Sequence, residues 1–117
     1  MTDKLVELEI EQRGEIVVAR VSGELDLAGA PGTGDLIAEA VPTSARGLVV
    51  DMSRLEFIDS SGIAMLFGLA RRLASRRQEL RVVAPGGRAV KRVLDIVEFS
   101  RAAPVYEGLE PALAEIA

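Results

Sequence analysis

The chain has 117 residues, 49% of them hydrophobic, with 14 basic and 18 acidic side chains, a net charge of −4, and neither cysteine nor histidine. That length and apolar content suit one folded domain over residues 1–117, while acidity with only 3% aromatics argues against a nucleic-acid surface, which needs basic groups and stacking rings. Without cysteine there is no disulfide or thiolate chemistry, and without histidine a Ser–His nucleophile is excluded and the commonest metal ligand is missing.

Residues 5–10 alternate loosely and suit an edge strand, and Arg13-Gly14-Glu15 marks a turn. Ile16 to Val21 is rich in β-branched residues and reads as a strand paired with the first. Ser22-Gly23-Glu24-Leu25-Asp26 leaves that strand, and residues 27–34 are loop-like. A helix beginning between Ala30 and Asp35 runs to about Val41, where Pro42 stops it. A third strand, apolar throughout, covers 47–52, and Arg54 to Ile58 reads as a connector. A long helix follows over 62–76, then a strand from Leu80 to Ala84, a turn at Pro85-Gly86-Gly87 and a helix from Arg88 to Ile96. Val105 marks a short strand, and Glu110 to Ile116 a last helix. Two strands followed by alternating helix and strand predict an α/β fold with a mixed sheet.

The most informative stretch is Asp59-Ser60-Ser61-Gly62, between the third strand and the long helix. It puts two hydroxyls at a helix start, where unpaired N–H groups and the dipole favour negative charge. A phosphate added to Ser60 is expected to be held by those groups. The plain reading is a helix cap, worth ~1 kcal/mol. On the helix, Ile63, Leu66, Phe67, Ala70 and Leu73 form one core stripe. Met65 and Leu69 lie off that stripe and, if exposed, make an apolar patch beside the serine. Glu24 and Asp26 reach the same sheet end as Ser60 if the second and third strands are parallel neighbours. Asp51 lacks the acidic pair and the lysine that would make it a phospho-accepting aspartate.

Leu48-Val49-Val50-Asp51-Met52-Ser53 followed by Phe57-Ile58-Asp59-Ser60-Ser61-Gly62 resembles the core of STAS domains, specifically bacterial anti-sigma-factor antagonists. Gly23-Glu24-Leu25-Asp26 looks like the family's first-loop motif, and Ala89-Val90-Lys91-Arg92-Val93-Leu94 is similar to its later helix. The resemblance covers nearly the whole chain. It implies a STAS fold, with a mixed four- to five-stranded sheet and helices packed mainly on one face. It implies no catalysis and no cofactor or metal. The unmodified protein would bind an anti-sigma factor that is also a serine kinase, freeing a sigma factor. Phosphorylation of Ser60 would separate the pair, and a metal-dependent serine phosphatase would reset it. Glu24, Asp26, Asp59, Ser60, Ser61, Gly62, Met65 and Leu69 are the expected partner-binding residues. This chain departs from the family pattern at Gly29, where a Thr or Ser cap is usual, and at Thr33, where a large apolar residue is common.

No apolar run approaches the ~20 residues of a membrane span. Met1-Thr2-Asp3-Lys4-Leu5 has no basic region followed by an apolar stretch, so a cytoplasmic protein is expected. The alternative is a non-switching STAS scaffold in a lipid-transport or stress-signalling assembly, where Ser60 is only a cap. A third reading, an enzyme built on Glu24, Asp26 and Asp59, needs a deep pocket holding an acid of raised pKa.

Overall fold

The computed structural model describes residues 5–114 and residue 116. The reading of Met1 to Lys4 and the part of the last helix at Glu115 lie outside the described residues. Strand β1 (Glu7–Arg13) pairs antiparallel with β2 (Ile16–Leu25) through a two-residue turn. Gly14 supplies the positive φ of +60° that this turn requires. Helix α1 (Ala30–Ala40) crosses to β3 (Gly47–Ile58), and α2 (Ser60–Ser75) crosses to β4 (Glu79–Val83). Helix α3 (Ala89–Ile96), a short 3-10 turn over Phe99–Arg101, β5 (Val105–Tyr106) and α4 (Leu109–Ala114) complete the order. The sheet runs β1-β2-β3-β4-β5, and every pairing after the first is parallel.

The sheet separates two apolar layers by alternation along its central strands. Val17, Ala19 and Val21 of β2 and Leu48, Val50 and Met52 of β3 face the layer formed by α1, α2 and α3. Val18, Val49 and Val83 face the other side, where Ala112 of α4 and Ile116 cover them. Helices therefore sit mainly on one face, as expected. Aliphatic side chains dominate this core; Phe99 is the largest fully buried side chain, and Phe67 meets it edge-on at 5.0 Å.

Several elements differ from the expectations: β1 runs Glu7–Arg13 rather than 5–10, β2 passes Val21 to Leu25, and the last helix does not include Ile116. Strand β3 continues through Arg54–Ile58, expected as a connector, because β2 also continues to Leu25 and offers it partners. The register slips twice there, between Arg20 and Ser22 and between Gly23 and Glu24, and Gly23 takes a φ of +88°. The long helix starts at Ser60 rather than at Gly62. Its buried line is Gly62, Leu66, Leu69 and Leu73, not the stripe that left Leu69 aside. Helix α1 lies close against α2, so α2 is covered from two sides. Gly34 makes this approach possible, since a β-carbon there would come within 2.7 Å of Met65 Cγ.

Candidate functional site

The site begins with how α2 is capped. Asp59 is the N-cap, in extended conformation, and its Oδ1 accepts the Ser61 N–H at 2.8 Å and the Gly62 N–H at 3.2 Å. The Asp59 carbonyl accepts the Ile63 N–H at 3.0 Å. The carboxylate thus does the capping, and Ser60 is left as an exposed first helical residue whose hydroxyl makes no hydrogen bond to a described residue. The expectation that helix-start N–H groups hold a phosphate on Ser60 concerns the modified protein; in the unmodified one the Asp59 carboxylate occupies two of those donors. A phosphate on Ser60 would therefore share this helix start with a carboxylate.

Strands β2 and β3 bring the first loop to the same place. They are parallel neighbours, with Glu24 opposite Phe57 and Leu25 opposite Ile58. The Asp59 N–H donates to the Leu25 carbonyl at 3.2 Å, joining the loop to the serine motif. Gly62 belongs to this junction: a β-carbon on it would stand 2.7 Å from the Leu25 carbonyl oxygen and 2.5 Å from Ile58 Cγ1. Being buried, Gly62 seats the helix start and offers no side chain to a partner.

Asp26 is half-buried, and its Oδ1 accepts the N–H groups of Ala28 at 3.1 Å and Gly29 at 3.2 Å. Its carbonyl accepts from Gly29 and Ala30 at 3.1 and 2.7 Å. Asp26 therefore organises the start of α1, where Gly29 has no side chain to cap with. Glu24 is half-buried in the β2–β3 ladder, and its side chain has no hydrogen-bond or ion-pair partner among the described residues.

The helical side of the site is smaller than expected. Leu69 is 1% exposed, packed into the core beneath α1, and cannot form part of an apolar surface patch. Met65 is half-buried against Gly34 and keeps some surface. Between α1 and α2 runs a groove of about 370 Å³ lined by Gly34, Asp35, Ser61, Met65, Gly68 and Arg72, with Arg72 and Asp35 paired at 3.5 Å. A polar cleft of about 450 Å³ lies over β1, β2 and β3, lined by Glu7, Glu9, Arg20, Ser22, Asp51 and Arg54. Neither is lined by Glu24, Asp26 or Asp59, so neither joins the three carboxylates an enzyme reading would need. No helix among the described residues is long and apolar enough to cross a membrane.

Two residues close in sequence to the site motifs are exposed and apolar and were not among the expected contact residues. Phe57, two positions before Asp59, is 46% exposed, and Leu27, in the first loop, is 73% exposed. Strict alternation from the buried Leu55 would turn Phe57 inward. The register slips break the alternation, so Met52, Leu55 and Ile58 point in at intervals of three and Phe57 points out. Leu27 carries its own signal, a large aliphatic residue in a polar loop.

Comparison with known proteins identifies the family and the fold. The STAS domain model matches residues 7–112. The chain belongs to the STAS-domain family. It is 30% identical over 107 residues to the anti-sigma-F factor antagonist RsfA of Mycobacterium tuberculosis, covering 90% of this chain and 83% of that one. A crystal structure of an anti-sigma factor antagonist from Mycobacterium paratuberculosis superimposes with a TM-score of 0.85 at 30% identity, over 95% of this chain and 93% of that one. The Bacillus cell fate determinant SpoIIAA in its phosphorylated form has the same fold, with a TM-score of 0.72 at 22% identity over 95% of this chain and all (100%) of that one.

Proposed function

We propose that this STAS domain, with residues 1–117 forming one unit, is an anti-sigma-factor antagonist and not an enzyme. Its unmodified form binds an anti-sigma factor of the serine-kinase type and frees a sigma factor. Phosphorylation of Ser60 ends the contact, and a metal-dependent serine phosphatase restores it. The observation that carries this reading is the division of labour at the start of α2: Asp59 caps, so the exposed Ser60 hydroxyl is released for modification.

The same geometry supports a mechanism. A phosphate adds about −1.5 to −2 charges. On Ser60 it competes with Asp59 for the Ser61 and Gly62 donors and places its charge beside that carboxylate. Phe57 and Leu27 give the surrounding surface exposed apolar area, and Asp59 and Glu24 give it negative charge. A partner desolvating this surface would have to bury the phosphate beside carboxylates, which is costly without new cations. The switch works through the charge it presents and needs no refolding. Glu24, Asp26, Asp59, Ser60, Ser61 and Met65 form the proposed contact surface together with Phe57 and Leu27, and Gly62 supports it from below.

The test is phosphate transfer from labelled ATP in native cell extract to the purified protein. Wild type is expected to take one phosphate on Ser60, and Ser60→Ala none. Stoichiometric labelling of Ser60→Ala would overturn the site.

A further inference from the structure

Strand β3 outruns β4. Its pairing with β4 ends at Asp51 opposite Val83, while β3 itself goes on to Ile58. From Met52 onward it has a strand neighbour on one side only, and on that side the ladder to β2 slips twice. This doubly weakened stretch leads directly into Asp59-Ser60. In this irregular stretch the Ser53 and Leu55 carbonyl oxygens nevertheless both lie within reach of one side chain. Arg88 receives both. It is the N-cap residue of α3, and its guanidinium donates from Nη1 to the Ser53 carbonyl at 2.6 Å and from Nη2 to the Leu55 carbonyl at 3.5 Å. A planar cation with parallel donors is suited to span two such oxygens, where a further strand would offer its N–H groups. The turn preceding Arg88 is itself tied down, since the Gly86 N–H donates to Glu107 Oε1 at 3.0 Å.

We infer that Arg88 is a positioning residue for the switch: it substitutes for the absent strand beside β3 and holds the segment that presents Ser60. The inference deepens the proposed function, and its function arm rests on that reading, but the clamp is measurable in the isolated protein. The helix cap alone does not require arginine here, since the Arg88 side chain makes no capping bond to α3.

The experiment is hydrogen–deuterium exchange on purified wild type, Arg88→Ala and Arg88→Lys, read on peptides covering residues 52–62, β1 and α4. Loss of charge-assisted hydrogen bonds is expected to speed exchange in 52–62 by about tenfold in Arg88→Ala, with β1 and α4 unchanged. Arg88→Lys keeps the charge without the fork and is expected to fall between. The companion measurement is the initial rate of Ser60 phosphorylation in extract, expected to change severalfold in the order wild type, Lys, Ala. Unchanged exchange in 52–62 would overturn the inference. So would acceleration of equal size in all three regions, which would mark Arg88 as a general stability residue. A local exchange change with an unaltered phosphorylation rate would also overturn the positioning role. If wild type takes no phosphate at all, the Ser60 reading fails, and the exchange data still decide whether the clamp exists.

Discussion

The Asp59 carboxylate holds the Ser61 N–H at 2.8 Å, and Ser60, between the two, is thereby relieved of any capping duty. Asp59→Ala removes this cap and is expected to cost about 1 kcal/mol of stability. Asp59→Asn keeps an acceptor oxygen and should cost less. Ser60→Ala removes nothing structural and should unfold with wild type. Urea unfolding followed by circular dichroism checks all three; a Ser60→Ala loss as large as that of Asp59→Ala would return the cap to the serine.

Two glycines of α2 should respond in opposite directions to alanine. At Gly62 the added β-carbon meets the Leu25 carbonyl at 2.7 Å, and backbone cannot yield as a flexible side chain would. Overpacking of this kind costs about 1–3 kcal/mol. At Gly68 the added carbon meets nothing within 4 Å. Replacing that helix-interior glycine should stabilise the protein by about 0.5–1 kcal/mol. Thermal unfolding of the two variants provides the comparison.

Leu69 and Phe57 should respond in opposite ways to truncation, since Leu69 is buried and Phe57 exposed. Leu69→Ala opens a hole beneath α1 and is expected to cost about 2–5 kcal/mol. Phe57→Ala removes an exposed ring and should leave the unfolding midpoint almost unmoved while weakening partner binding about tenfold. Denaturation measures the first effect, and titration against the captured anti-sigma factor the second.

Acid should loosen the β1–β2 hairpin through Glu11. The Arg13 hydrogen bond, then that from Arg20, holds the Glu11 carboxyl below its ordinary value of 4.5. The unfolded chain therefore binds this proton more readily than the folded one. The stabilisation is present above the unfolded pKa and is lost as pH falls through the folded value, below 4.5. Glu11→Gln has no such proton to bind, so its stability should fall less than that of wild type between about pH 6 and about pH 3. Denaturant midpoints at the two pH values test this.

Much of the fold was legible because its signals are local. The apolar run Leu48–Val50 marks a strand covered on both faces, and Pro42 and Pro85-Gly86-Gly87 bound the elements around it. The serine motif was legible as a loop-to-helix junction. Three things were not. The burial of Leu69 depends on α1 approaching through Gly34, a tertiary contact that helical periodicity on α2 alone does not contain. The exposure of Phe57 depends on register slips between two strands far apart in sequence. The occupied donors at α2 depend on which residue, Asp59 or Ser60, becomes the cap, and both are good caps by type.

The central claim is that charge on Ser60 controls partner binding. It is tested most directly by affinity capture from native cell lysate, with wild type and Ser60→Asp compared and the bound proteins identified by mass. The expected result is a kinase-type anti-sigma factor retained by wild type and absent from Ser60→Asp. Equal capture by both proteins would contradict the switch and leave the domain as a scaffold whose serine carries no signal.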